Sequence, residues 1–452
     1  MNLSEIKATL HEIRVSPVKS LGQNFLHDRN LSRWIVEQIE LTSDDYVVEI
    51  GPGLGALTEF ALSQGARVLA IEKDARLARF LRTHFSGEQL EVLHADALEF
   101  DMRTLFTKPR VKLLGNLPYY ISSQLLLKFL GYPGPISLWL FTLQKELAHR
   151  LSASPSTKDY GALTLQVQLH HRIKYLRTIS GRVFIPQPDV DSAIVRVSSR
   201  DPMELPQCDE KVFTQLVRRG FSQRRKQLGK LLREEISDWP RAADTLGLKP
   251  QVRAEALSLE QWIALTNHVR PIPIPDRQKT DAEWFPVVDG RDCLLHNAPR
   301  AKVHGNNLRH RAVHILIFDQ FGEVFMQRRS RWKDRHPLLW DSSAAGHVNA
   351  GESYETAAAR ELQEELGIKA PLEKVVKLPA SPRTGQEFIW LYRGQYNGEF
   401  TLDRGEIEAG GFFPPAVIAG WIAARPKDFA PGFVECWNAY VEKNGAQNPS
   451  HK

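Results

Sequence analysis

Cysteine is almost absent: Cys208, Cys293 and Cys436 are scattered through 452 residues and form no CxxC pair. That excludes a disulfide framework and a cysteine-based structural zinc site, and it fits a reducing compartment. No apolar run approaches the roughly 20 residues that a membrane-spanning helix needs. The first 14 residues mix charge with short apolar pieces and lack the apolar core of a signal peptide. A cytoplasmic protein with no membrane association is therefore expected. An acidic excess is lacking too, since 59 Lys and Arg against 53 Asp and Glu leave a net charge of +6. That balance admits a polyanionic partner without requiring one. The length implies two or more domains, and 42% hydrophobic residues suffice for ordinary cores.

What is present begins with a β-rich apolar run, residues 46–50, followed by Gly51-Pro52-Gly53-Leu54-Gly55 and a helical stretch over 56–64. Strand, glycine turn and helix open a doubly wound nucleotide-binding sheet. The glycines alternate instead of following the GxGxxG spacing of dinucleotide folds, and glycine here permits close backbone approach to a small ligand. A second strand ends in Glu72, and a third, residues 91–96, ends in Asp96. Acids at such strand ends accept hydrogen bonds from ribose hydroxyls or an adenine amino group. A fourth apolar run leads into Asn116-Leu117-Pro118-Tyr119-Tyr120. Ligands in open α/β sheets lie outside the carboxyl ends of the strands, so Gly51, Glu72, Asp96 and Asn116 are expected around one site.

The Asn116 stretch suits a flat heterocyclic amine. Asn116 offers a neutral carbonyl acceptor and the Leu117 backbone carbonyl a second. Two acceptors pulling on the amine hydrogens localise a lone pair otherwise drained into the ring. Pro118 fixes the turn and removes a competing N–H. Tyr119 gives the base a stacking face worth about 1–3 kcal/mol.

These segments, with Gly22-Gln23-Asn24-Phe25-Leu26, Gln144-Lys145-Glu146, Tyr160-Gly161, Phe184-Ile185-Pro186-Gln187-Pro188 and Gln223-Arg224-Arg225-Lys226, resemble the bacterial small-subunit ribosomal RNA adenine dimethyltransferases over roughly residues 10–265. The resemblance implies S-adenosyl-L-methionine as methyl donor, with Asn24, Leu26, Gly51, Glu72, Asp96 and Asn116 lining the donor site. It implies that Tyr119 and Phe184 flank the target base; Phe184 as a core residue is the competing reading. It also implies two adjacent adenines near the 3′ end of the small-subunit RNA, in a pre-30S particle, as substrate. Antibiotic-resistance methyltransferases acting on large-subunit RNA share parts of this pattern, but the 184–193 loop and the 223–226 run are more like the small-subunit enzymes.

From Glu210 the pattern turns helical, and Arg218, Arg219, Arg224, Arg225, Lys226, Lys230 and Arg233 make a face of nearly one sign, with Leu216, Leu228, Leu231 and Leu232 on the apolar side. One-signed charge favours phosphate contacts. The expected organisation is a Rossmann-like α/β methyltransferase domain over 1–199, a small helical RNA-binding domain over 200–270, a proline-alternating spacer over 271–282, and a separate domain over 283–452.

In that last domain the spacing from Gly346 through Glu352, Arg360, Glu361, Glu364 and Glu365 to Ile368 matches the Nudix box at every defining position. Glu361, Glu364 and Glu365 share one helix face, and like charges so close repel unless a cation sits among them. Their hard oxygens suit Mg2+ or Mn2+. The resemblance, over roughly 283–440, implies an α/β/α Nudix fold and hydrolysis of a diphosphate-containing small molecule. Residues 308–312 and 339–341 also resemble isopentenyl diphosphate isomerase, but the cysteine that enzyme carries before the box glycine is Ala345 here, which argues for hydrolysis. A monomeric bifunctional enzyme is the expectation; the alternative is an RNA-binding ribosome assembly factor whose methyl transfer is secondary or lost.

Overall fold

A computed structural model describes residues 1–17, 22–85, 87–272 and 283–445. The chain divides into two compact units, Met1–Pro271 and Ile272–Lys452. Most of the expected spacer, residues 273–282, lies outside the described residues, as do Lys19, Ser20 and Leu21.

The first unit is built on a seven-stranded sheet: β1 (Tyr46–Ile50), β2 (Arg67–Glu72), β3 (Leu90–His94), β4 (Val111–Asn116), β5 (Ile136–Gln144), β6 (His171–Ile179) and β7 (Ser192–Ser199). Their order is β3-β2-β1-β4-β5-β7-β6. The first five run parallel, and β7 enters antiparallel between β5 and β6. All five β1 residues are buried, because a parallel sheet with helical crossovers is covered on both faces. Side chains alternate between two cores: Val48 and Leu113 pack on one face with Phe129 and Trp139, Val47 and Leu114 on the other with Ile35 and Phe60. Each such side chain contributes about 1.5–3 kcal/mol by leaving water. Order reverses between β1 and β4, and this opens a crevice at their carboxyl ends.

The helical part of this unit packs Leu216, Leu228 and Leu232 around Trp262, and all four are fully buried. Its helix α1 (Glu210–Gly220) starts at Asp209, whose carboxylate accepts from the Lys211 and Val212 amides, satisfying two of the donors a helix start leaves orphaned.

The second unit holds a two-stranded ribbon, β8 (Trp284–Val288) and β9 (Leu294–Pro299), and a mixed seven-stranded sheet. The sheet comprises β10 (His310–Phe318), β11 (Val324–Arg329), β12 (Trp340–Asp341), β13 (Ala344–His347), β14 (Glu373–Leu378), β15 (Glu387–Gln395) and β16 (Ile407–Phe413). Helix α2 (Tyr354–Leu366) packs Ala357 and Leu362 against Val313 and Ile315. The segment opening the final helix, Pro431–Gly445, lies against His314 and Ile389 on the opposite face. The result is the layered α/β/α arrangement expected of a Nudix fold.

Candidate active sites

In the first unit a cleft of about 980 Å³, counted with its solvent-open mouth, lies at the carboxyl edge of the sheet, lined by Asn24, Leu26, Gly51, Glu72, Asp96 and Asn116 among others. Every residue expected to hold the donor thus borders one space. Gly51 and Gly53 have φ of 64° and 60°, a region a side chain would strain. This lets the turn after β1 fold over the crevice and present backbone to it.

The two carboxylates under the turn differ in character. Glu72 is buried, and its oxygens accept from the Gly53 amide at 3.1 Å and the Asp74 amide at 2.9 Å. Burial nevertheless pushes its pKa to about 7. Asp96 is held below the usual carboxylate range, chiefly by a hydrogen bond from Lys73 Nζ at 2.6 Å. It is an ionised, acceptor-only group at neutral pH. Glu49 on β1 is fully buried and accepts from the Thr58 hydroxyl at 2.5 Å. Burial, with Glu72 nearby, pushes it to about 7 as well.

At the other wall, Asn116 Nδ2 donates to the Asn24 carbonyl at 3.0 Å. That bond selects the amide orientation and leaves Oδ1 as the free-ranging acceptor. It also ties the Gly22–Leu26 segment to β4. Gly22, at φ 62°, lies so close that an added Cβ would sit 2.8 Å from Pro118 Cβ. The Tyr119 hydroxyl shares a hydrogen bond with Ser192, which anchors a partly buried ring. Leu117 is 1% exposed, so only its backbone can act on a ligand.

Phe184 requires a correction. Phe25–Leu26 and Phe184–Ile185 form a short antiparallel bridge with Leu26 opposite Phe184. The Phe184 ring is drawn into the core beside Leu31 and Ile35, 3% exposed. In this conformation it offers no face to a base. The aromatic ring with exposed surface that lines the cleft is Tyr120, at 53%.

In the second unit a cleft of about 1290 Å³ is bordered by Glu361, Glu364, Glu365, Arg360 and Lys333. Arg360 organises the acids. Its Nε donates to Glu352 at 2.9 Å, and its Nη1 reaches Glu361 at 2.8 Å and Glu364 at 2.9 Å. Ser353 caps the start of α2, and Gly367, at φ 68°, ends it in a left-handed turn. Glu365 is fully buried and accepts from Gln327 at 2.9 Å and the Ala345 amide at 3.1 Å. Burial raises Glu361 and moves Glu365 to about 7; the Glu364 charge adds to the rise at Glu361, and the Glu361 charge to the rise at Glu365. Crowded buried carboxylates held above their usual range are the donor set a hard divalent cation relieves. Gly346 is required here for space: an added Cβ would lie 2.0 Å from the Glu361 carboxyl group.

A family model for ribosomal RNA adenine dimethylase matches residues 16–270. The chain belongs to the ribosomal RNA adenine dimethylase family. A NUDIX domain model matches residues 308–433 of this dimethylase. The ribosomal RNA small subunit methyltransferase A of Geobacillus thermodenitrificans is 38% identical over 270 residues, covering 56% of this chain and 91% of that one. The protein of the same name from Chlorobium phaeobacteroides is 38% identical over 255 residues, covering 56% of this chain and 94% of its own. Among solved structures, the 23S rRNA methyltransferase ErmE is 28% identical with a TM-score of 0.45, covering 54% of this chain and 99% of that one.

The dimethylase is therefore an enzyme, an rRNA adenine methyltransferase with a Nudix domain, and its family implies S-adenosylmethionine as donor. The crevice fits that cofactor: glycine backbone, two acids on successive strand ends and an aromatic-rimmed mouth surround one space. Sequence reasoning gave no role to Glu49 and Lys73 at this cleft or to Lys333 at the other. Lys73 directly follows the acid ending β2 and was visible there; the burial of Glu49 has no sequence signature apart from its place in an apolar strand. No helix among the described residues is long and apolar enough to cross a membrane.

Proposed function

We propose that the dimethylase transfers methyl groups from S-adenosylmethionine to two adjacent adenines near the 3′ end of 16S rRNA, acting as a cytoplasmic monomer on a pre-30S particle. The observation that carries this reading is the Asn116 amide, fixed by the Asn24 carbonyl at 3.0 Å so that its oxygen stays available beside the cleft. When bound, the sulfonium donor supplies a methyl group already activated for transfer. The protein's part is then positioning and selective acceptance of hydrogen bonds. Glu72 accepts from ribose hydroxyls and Asp96 from the donor's adenine amino group. Asn24, Leu26 and Gly51 form the remaining walls. Asn116 Oδ1 and the Leu117 carbonyl take the two hydrogens of the target amine and favour a pyramidal nitrogen. Tyr119 stacks on the base. A strong general base is unnecessary, because the methylated ammonium product loses its proton readily. The target adenines must be unpaired or extruded to reach so recessed a site.

Residues 200–270 act as an RNA-gripping domain. Arg225, Lys226, Lys230 and Arg233 are exposed and supply the phosphate contacts. Arg219 and Arg224 have another role: Arg219 pairs with Glu234 and Glu235, and Arg224 donates to the Lys158 carbonyl and Glu255. They brace the domain.

The Nudix unit hydrolyses a small diphosphate-containing molecule, with Glu361, Glu364 and Glu365 holding Mg2+ or Mn2+. Those three carboxylates would hold the ion, which would supply Lewis-acid chemistry for hydrolysis of the diphosphate.

The test is methyl transfer to undermethylated small subunits. Asn116→Ala is expected to lower the rate by about 10²–10³-fold, the usual effect of losing one positioned transition-state hydrogen bond, while subunit binding is retained. Methylation at an undiminished rate in that variant would remove Asn116 from the mechanism.

A further inference from the structure

The Asn116–Tyr120 stretch is fixed from behind. The Leu117 amide donates to the Thr142 carbonyl at 3.2 Å, and the Pro118 carbonyl accepts from the Ile121 amide at 3.2 Å and the Ser122 hydroxyl at 2.8 Å. With the turn backbone pinned, the freedom that remains to the Tyr119 ring is rotation about its side-chain torsions. Pro118 and Tyr120 border the donor cleft. The Tyr119 hydroxyl turns instead to Ser192, with which it shares a hydrogen bond.

Ser192 is the first residue of β7. Because β7 runs antiparallel between β5 and β6, its first residue lies level with the last residue of each, Gln144 and Ile179. The reversed strand thus delivers its opening side chain to the carboxyl edge, where ligands of open α/β sheets lie. The corner before it is held on both flanks. The Asp191 carbonyl accepts from the Lys145 amide at 3.0 Å, and Asp191 Oδ1 accepts from the Gly181 amide at 3.3 Å. Ser192 is 0% exposed. A hydroxyl so enclosed needs a hydrogen-bond partner, and so does a phenol on a partly buried ring. Burial holds the Tyr119 hydroxyl above its ordinary pKa, so at neutral pH the bond joins two neutral hydroxyls.

We infer that Ser192 is a positioning residue for the target adenine: its hydroxyl holds the far end of the Tyr119 ring and so sets the height and tilt at which that ring meets the base. The inference rests on the stacking role given to Tyr119 above, and it requires no contact between Ser192 and RNA. With the Phe184 ring buried, alignment of the base falls to Tyr119. A ring free to swing costs the reacting amine its alignment with Asn116 Oδ1 and the Leu117 carbonyl. That loss is felt in the chemical step, whereas affinity for the subunit is dominated by phosphate contacts.

The test is a double-mutant cycle on the full-length chain, read as transfer of labelled methyl groups to undermethylated small subunits. Ser192→Ala and Tyr119→Phe remove the same bond from opposite ends. Each is expected to lower kcat by about two- to tenfold, the range set by one net hydrogen bond. KM for the subunit and the affinity for S-adenosylhomocysteine, measured by calorimetry, are expected to stay unchanged. The double variant is expected to be no slower than the slower single one. Tyr119→Ala is expected to lower kcat by about 10–100-fold, as loss of a stacking face does. Losses that multiply in the double variant, a wild-type kcat in Ser192→Ala while Tyr119→Ala is slow, or a Ser192→Ala defect accompanied by weaker S-adenosylhomocysteine binding would overturn the role of Ser192 and leave the stacking reading standing. A wild-type kcat in Tyr119→Ala would overturn the stacking reading and this inference with it.

Discussion

Glu49→Gln isolates the electrostatic strain beneath the donor cleft. Glu49 is fully buried, and burial lifts its pKa from an ordinary 4.5 to about 7. Each tenfold change in proton affinity corresponds to about 1.4 kcal/mol, so the carboxylate form is disfavoured in the folded unit by ~3 kcal/mol. The sign follows from the direction. With the folded value above the unfolded one, the contribution to stability is fully present below pH 4.5 and is lost as pH rises through about 7. Glutamine keeps an acceptor for the Thr58 hydroxyl, now at 2.5 Å from the carboxylate, and removes the titration. Urea midpoints of the 1–271 unit, read by pulse proteolysis of the full chain between pH 4.5 and 8, supply the measurement. The stability of wild type relative to Glu49→Gln is expected to fall by ~3 kcal/mol across that range. A difference that stays flat with pH would show that Glu49 is not the titrating group and would refute the reasoning.

Two further outcomes follow from named interactions. Gly346→Ala, which forces a methyl group onto the Glu361 carboxyl group, and Glu364→Gln should each abolish divalent-dependent diphosphate hydrolysis while methyl transfer continues at the wild-type rate; divalent-dependent hydrolysis retained at the wild-type rate in both would contradict the carboxylate assignment. Neutralising Arg225, Lys226, Lys230 and Arg233 together should lower the slope of log affinity against log salt for RNA by about 0.7–0.9 for each phosphate that is no longer neutralised. The same titration with Arg219→Ala should change thermal stability more than the slope.

Much of this arrangement was legible because its signals are local. The Gly346–Ile368 spacing reads directly as a strand end, a glycine loop and a helix with three acids on one face. Gly51, Glu72, Asp96 and Asn116 each follow an apolar run, and the rule that ligands lie at carboxyl ends gathers them without knowledge of strand order. The insertion of β7 between β5 and β6 had no such signal, since long-range antiparallel pairing leaves no periodicity to read. Charge runs were ambiguous for a related reason: sequence cannot tell that Arg219 and Arg224 turn to Glu234, Glu235 and Glu255 while their neighbours stay free. Phe184 belongs to a motif, but its two-residue bridge to Leu26 takes the ring inward.

The central claim is that the carboxyl edge of the first sheet brings a reactive methyl group to an adenine amine. Its most direct test is transfer of isotopically labelled methyl groups to undermethylated small subunits, followed by mapping of the modified nucleotides. The account predicts label on two adjacent adenines near the 3′ end of the small-subunit RNA, each carrying two methyl groups. Label absent from the RNA, or located on other nucleotides, would contradict it.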